Sequence, residues 1–133
     1  MKKLILLLFP ILTSCAAVDA MLMSKFDPSE YRMITEIRAN AQMFKTGCDD
    51  YLLSKPNAIE MASQTNLFML YSEHIPRNND SYNAAKSLNE IAQGLSEKYV
   101  KGDKVSPMFC KLKFEGIEHS ADTMQHVLGN RPR

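Results

Sequence analysis

Apolar residues recur at intervals of three and four along four stretches of this chain, and the stretches are separated by polar connections. That spacing predicts helices. The first stripe is Ile34, Ile37, Ala41, Phe44 and Cys48, with Tyr51 and Leu52 extending it. Ahead of it, Asp27 suits a cap, Pro28 suits a first turn and Glu30 stands at the third helical position. Lys55-Pro56 predicts the end of this helix. Asn57, with Glu60 three residues on, predicts the start of a second, whose interior carries Ile59, Ala62, Leu67, Phe68, Met69 and Leu70. Pro76 marks its end, with His74 at the boundary, and Arg77-Asn78-Asn79-Asp80 reads as a loop. A third helix over 81–100 sets Ala85, Leu88, Ala92, Leu95 and Tyr99 on one face, with Ile91 beside them. Gly94 either weakens it by about 1 kcal/mol relative to alanine or permits close helix packing. Ser106-Pro107 opens the fourth, with the stripe Cys110, Phe114, Ile117, Ala121, Met124 and Leu128, and Gly129-Asn130 closes it. No alternating β-branched run supports a strand. The expected class is all-α: a four-helix antiparallel bundle, or two packed helical hairpins, with one disulfide.

The disulfide follows from register. In an up-down-up-down chain the end of the first helix and the start of the fourth share one end of the bundle. Cys48 and Cys110 occupy those places, both on apolar stripes, so the two thiols are predicted to meet. The alternative is a pair of buried free thiols. No Cys-x-x-Cys motif is present and no histidine lies within a few residues of either cysteine, so a catalytic thiol has no support.

The third cysteine belongs to a different pattern. Lys2 and Lys3 precede a short apolar run, Leu4 to Leu12, which ends in Leu12-Thr13-Ser14-Cys15. A basic start, a short apolar stretch and small residues before a cut make a secretory leader, and a cysteine at the cut is an acceptor for a lipid group. It looks like a bacterial lipoprotein signal. The run is far shorter than the roughly 20 residues that span a bilayer. An ordinary secretion signal cut near Ala17 or Ala20 is the alternative. The division that follows is 1–14 signal peptide, 15–27 lipidated tether with attachment at Cys15, and 28–133 helical domain. Ala16 follows the acylated residue where inner-membrane lipoproteins of enteric type carry aspartate. By that resemblance the address is the outer membrane, facing the periplasm. The Met21-Leu22-Met23 run of the tether either docks on the domain or touches lipid.

Composition narrows the chemistry. Removing the leader leaves 14 basic residues against 15 acidic ones, with no Lys/Arg block to suggest nucleic acid. Eight methionines remain after the leader, and methionine suits both irregular cores and adaptable apolar surfaces. Glu115, His119, Asp122 and His126 fall on one arc of the fourth helix. The apolar stripe lies opposite, so the polar arc is predicted to face solvent and not to bind metal. Asp49 and Asp50 are sequence neighbours that point apart. No Ser-His-Asp set, phosphate loop or zinc motif is present. The chain reads as a non-enzymatic binder, with no cofactor and no small-molecule substrate.

One family shares this layout. A lipoprotein leader, a helix ending in Phe44-Lys45-Thr46-Gly47-Cys48-Asp49-Asp50-Tyr51-Leu52, two middle helices and a second cysteine opening the last helix in Ser106-Pro107-Met108-Phe109-Cys110 together resemble the helical pilotins of type II secretion systems, the PulS/OutS kind. The resemblance implies a small outer-membrane lipoprotein that binds the C-terminal helical segment of a secretin in an apolar groove and escorts it to the outer membrane. The apolar surplus of the second helix, Leu67, Phe68, Leu70 and Tyr71, with Met33 and Met43 of the first, is the expected partner-binding set. The competing readings are a periplasmic immunity lipoprotein that binds a secreted toxin through a charged face, and a structural envelope lipoprotein.

Overall fold

The computed structural model describes residues 22–133. Four helices make up the bundle: α1 (Pro28–Lys45), α2 (Tyr51–Glu73), α3 (Asn79–Val100) and α4 (Pro107–Gly129). They form an antiparallel bundle. α1 packs most extensively on α4 and α2 on α3, while the α1–α2 and α3–α4 seams are thinner. α2 therefore lies diagonally across from α4. The core is built from the predicted stripes of α1, α3 and α4, with Ile34, Ile37, Leu95, Phe114 and Ile117 essentially sealed from solvent. Of the expected interior of α2, Ala62 and Phe68 are buried while Ile59, Leu67 and Leu70 are exposed, because its register is set by the earlier start. Phe44 and Phe114 meet edge to face at 5.9 Å.

The first boundary departs from the sequence expectation. Lys55-Pro56 does not end α1, and Asn57 does not cap α2. α1 stops at Lys45, a turn follows, and the Asp50 carboxylate accepts the Leu52 N–H at 2.8 Å to start α2 well ahead of the expected place. Tyr51 and Leu52 therefore belong to α2 and do not continue the α1 stripe. Pro56 sits in the second turn of α2. There it removes the bond to the Leu52 carbonyl, and Leu52 lies on the exposed side of the helix. The cap is what makes this start possible. Asp50→Ala should lower stability by about 1 kcal/mol, read as a fall in the urea midpoint at unchanged slope.

Each end of the bundle is fastened differently. At one end the Cys48–Cys110 disulfide joins the turn after α1 to the first turn of α4, across 62 residues of sequence and a Cα–Cα distance of 5.7 Å. At the other end the fastening is a buried ion pair. Glu30 is fully buried and Arg131 is 8% exposed, and the Arg131 guanidinium donates to Glu30 Oε2 at 2.8 Å. The other Glu30 oxygen accepts from Ser72 Oγ at 3.0 Å and Asn78 Nδ2 at 2.8 Å. Arg131 also donates to Asn78 Oδ1 at 2.7 Å, and Ser24 Oγ donates to the same oxygen at 3.1 Å. Five segments converge here: the stretch before α1, the starts of α1 and α3, the end of α2, and the tail. Asp27 caps α1 as expected, accepting the Glu30 N–H at 2.8 Å. The Glu30 side chain does not complete a capping box but turns inward.

The described part of the tether is packed on the domain. Ser24 is buried, the Phe26 N–H donates to the Pro132 carbonyl at 2.8 Å, and Arg133 lies over the Phe26 ring at 4.9 Å. Leu22 and Met23 line a cavity of about 320 Å³ with Ala84 of α3 and Met124 and Val127 of α4.

Candidate functional site

α2 carries its aliphatic bulk on the wrong side for a core helix. Its buried positions are Ser54, Ala58, Met61, Ala62, Thr65, Phe68 and Ser72, mostly small or polar. At 100° per residue Leu52, Ile59, Leu67 and Leu70 fall within an arc of about 80° on the opposite side. They are 81%, 43%, 61% and 46% exposed. Pro56 and Ser63 lie on the same arc, so no charged side chain interrupts it between Leu52 and Leu70. The stripe follows a helix about 34 Å long.

The inward face explains how α2 manages with so few large residues. Small side chains let it lie close to α3, and Thr65 Oγ1 bonds Asn89 Oδ1 at 3.1 Å across that contact while also meeting the Met61 carbonyl at 2.9 Å. Gln93 Nε2 donates to the Ala62 carbonyl at 3.3 Å. Polar pairing and two large anchors, Met61 and Phe68, hold the helix down, which leaves its leucines free to face outward.

The stripe ends in a shallow hollow of about 530 Å³ formed by Leu67, Leu70, Tyr71, His74, Ile75 and Pro76 with Asp27. The Tyr71 hydroxyl lies 3.1 Å from both Asp27 carboxylate oxygens, which fixes the ring at the rim. His74 is the C-cap of α2. The hollow is apolar on its floor with a few polar groups at its edge, a composition suited to an apolar side chain whose backbone or flank stays wet.

The six residues expected to contact a partner divide into separate groups. Leu67, Leu70 and Tyr71 lie together at the exposed end of α2. Phe68 does not join them: it is fully buried and belongs to the core, because its position on α2 points opposite to the stripe. Met33 is half-buried and packs against the core, and Met43 is exposed near the far end of α1. Ile59, an interior residue by sequence expectation, is exposed. Leu52, which spacing alone attaches to α1, instead opens the α2 stripe. Counting helical register from an Asp50 cap is the signal that finds it. Cys15 lies outside the described residues.

The polar arc of α4 faces solvent. Glu115, His119, Asp122 and His126 are exposed, and Asp122 pairs with Arg38 of α1 at 2.7 Å. Lys45 of α1 bonds Glu118 at 2.8 Å, and that bond raises the ammonium above its ordinary pKa. These contacts lace α1 to α4 along their outer edge. No group of three or more metal-ligating side chains is gathered among the described residues.

No family model, no curated protein and no solved structure matches this chain.

Proposed function

We propose that this protein is a lipid-anchored helical adaptor of the outer membrane, facing the periplasm, that captures an amphipathic helix along the outer face of α2. The observation that carries this reading is the uncharged stripe on α2 in which Leu52, Ile59, Leu67 and Leu70 are exposed. Such a stripe on water is a standing liability unless something covers it. A helix whose own apolar residues recur every three or four positions would lie along it, as in helix-in-groove recognition, and the hollow at Leu67 and Tyr71 would take one large apolar residue. The pilotin resemblance supplies the candidate partner: the C-terminal segment of a type II secretion secretin. The role requires no catalytic group and no cofactor, and anchoring at Cys15 would keep the adaptor at the membrane where the secretin assembles.

The test is calorimetric titration of the protein with the secretin's C-terminal peptide. Leu67→Glu/Leu70→Glu should weaken binding by about a hundredfold or more, since two buried apolar side chains are each replaced by a charge. Raising salt should change the affinity little, because buried apolar area is not screened. Absence of binding at high micromolar peptide, with normally located secretin in a deletion strain, would end the pilotin reading. Tight binding to the toxin product of a neighbouring gene would put the immunity role in its place.

A further inference from the structure

The exposed stripe of α2 has a symmetry that a single copy does not use. Ser63 stands at its middle. Ile59 and Leu67 lie four residues to either side of it, Pro56 and Leu70 seven, and Leu52 and His74 eleven. Every one of these positions is exposed. At 100° per residue they keep within one arc of about 80°. A two-fold axis through Ser63, perpendicular to the helix, would therefore set a second α2 antiparallel on the first with each position facing its counterpart. Ile59 would meet Leu67, Pro56 would meet Leu70 and Leu52 would meet His74, each pair twice, as a self-complementary interface requires. The small serine at the crossing lets the two backbones approach.

The flanks obey the same axis. Lys55 and Glu73 are 18 residues apart, five turns of helix, so they share one flank of the stripe. Like flanks face each other when two helices pack antiparallel, and charges there set orientation. Lys55 of one copy then stands within about one turn of Glu73 of the other, and the reverse pair repeats it. Among the described residues neither has an ion-pair partner in its own chain. Leu53 and Tyr71 are likewise 18 residues apart, on the opposite flank, and both are exposed. The same axis brings them together.

Shape points to the same occupant. Leu52 is the most exposed large apolar side chain among the described residues, at 81%, and it projects from the start of the stripe. The hollow formed by Leu67, Leu70, Tyr71, His74, Ile75 and Pro76 lies at the other end. Projection and hollow stand most of a 34 Å helix apart, so they cannot meet within one copy. The antiparallel axis carries each Leu52 to His74 of the second copy, at the mouth of the hollow, and fills both hollows at once.

We infer that α2 is the interface of a reversible antiparallel homodimer, in which Leu52 of each copy occupies the hollow of the other. One helix per copy makes a small interface, at or below the ~1,200 Å² typical of weak, transient encounters. The dimer therefore forms in the micromolar range and comes apart readily. The pairing stands on α2 alone. Its role as a cap rests on the adaptor reading: the second copy keeps the stripe from water until an amphipathic helix takes the same hollow and displaces it.

The test is thiol cross-linking of the full chain in unextracted cell fractions, with a short bifunctional reagent and with Cys48–Cys110 confirmed intact by peptide mapping. Ser63→Cys should give a covalent dimer several-fold more efficiently than Glu90→Cys, an exposed position on α3. Lys55→Cys and Glu73→Cys should each link poorly alone and link well when the two chains are co-expressed. Adding Leu52→Glu to Ser63→Cys should cut the yield by about tenfold or more. Lys55→Glu should also lower it, and Lys55→Glu/Glu73→Lys should restore it, a rescue that a merely structural role for either charge would not give. Equal linking at positions 63 and 90 would overturn the inference. So would efficient self-linking of Lys55→Cys, the mark of a parallel pair, or a Ser63→Cys yield that ignores Leu52→Glu. The secretin's C-terminal peptide separates this inference from the adaptor reading. Loss of the Ser63→Cys link as peptide is added supports the cap. A link that persists with peptide bound overturns the capping role and leaves the pairing in place. Peptide binding to a protein that never pairs overturns the dimer and leaves the adaptor reading in place.

Discussion

Arg131→Ala is expected to lower the unfolding free energy by about 3–5 kcal/mol, the usual cost of stripping the partner from a buried charge. Glu30 is fully buried and would keep only Ser72 and Asn78 as donors. Asn78 would lose the guanidinium that bonds its carbonyl oxygen, leaving Ser24 alone on that atom. The loss should be visible locally before it is visible globally. Amide exchange should accelerate first in residues 22–27 and at the start of α3, because these are the segments the network ties together. Urea denaturation followed by circular dichroism gives the global figure. The double variant Glu30→Gln/Arg131→Met should recover a substantial part of the loss. No charge is then buried, and the glutamine amide can still pair with Asn78 and Ser72. A single-variant loss below about 1 kcal/mol would mean that water reaches Glu30 and that the latch contributes little.

Much of this architecture is readable from residue spacing. The stripes of α3 and α4 lie where three-and-four periodicity puts them, and the cysteine pairing follows from placing Cys48 and Cys110 at matching heights on antiparallel helices. The α1–α2 boundary is less accessible. Pro56 looks like a stop, yet it sits inside α2 near its start, where it forgoes the bond to the Leu52 carbonyl and the helix continues past it. The stronger signal is Asp50, a capping carboxylate in the polar stretch right after Cys48. Misplacing that boundary hides the α2 stripe, because Leu52 and Ile59 then fall to different helices and both count as interior. Leu67, Phe68, Leu70 and Tyr71 illustrate a second limit. Four neighbouring large residues cannot share one helix face, and only the register of the buried side shows that Phe68 goes in while the others stay out. The Glu30–Arg131 pair is beyond local pattern altogether. Glu30 fits a capping box by spacing, and its true partner lies 101 residues away in a tail that carries no periodicity.

Removing the disulfide should have an effect of similar size at the other end of the molecule. Closing a loop of 62 residues restricts the unfolded chain by about 4 kcal/mol on the chain-entropy account. Cys48→Ser/Cys110→Ser should lose most of that, read as a lower urea midpoint, and reduction of the native protein should cost somewhat less, because buried thiols carry a smaller desolvation penalty than serine hydroxyls. The two serines would also place hydroxyls where both sulfurs are now buried, so the loss should not fall far below the entropic figure. On the proposed function, the folded double variant should still bind the secretin's C-terminal peptide with near-native affinity. The α2 stripe gets its shape from Met61, Phe68 and the Thr65–Asn89 contact, none of which is part of the bridge. What should change is the urea concentration at which binding is lost, which should fall in step with the folding midpoint. A variant that folds fully but binds weakly would show that the bridge positions the stripe itself, and would move the partner's contact from the Leu67–Tyr71 end toward Leu52, the part of α2 nearest the disulfide.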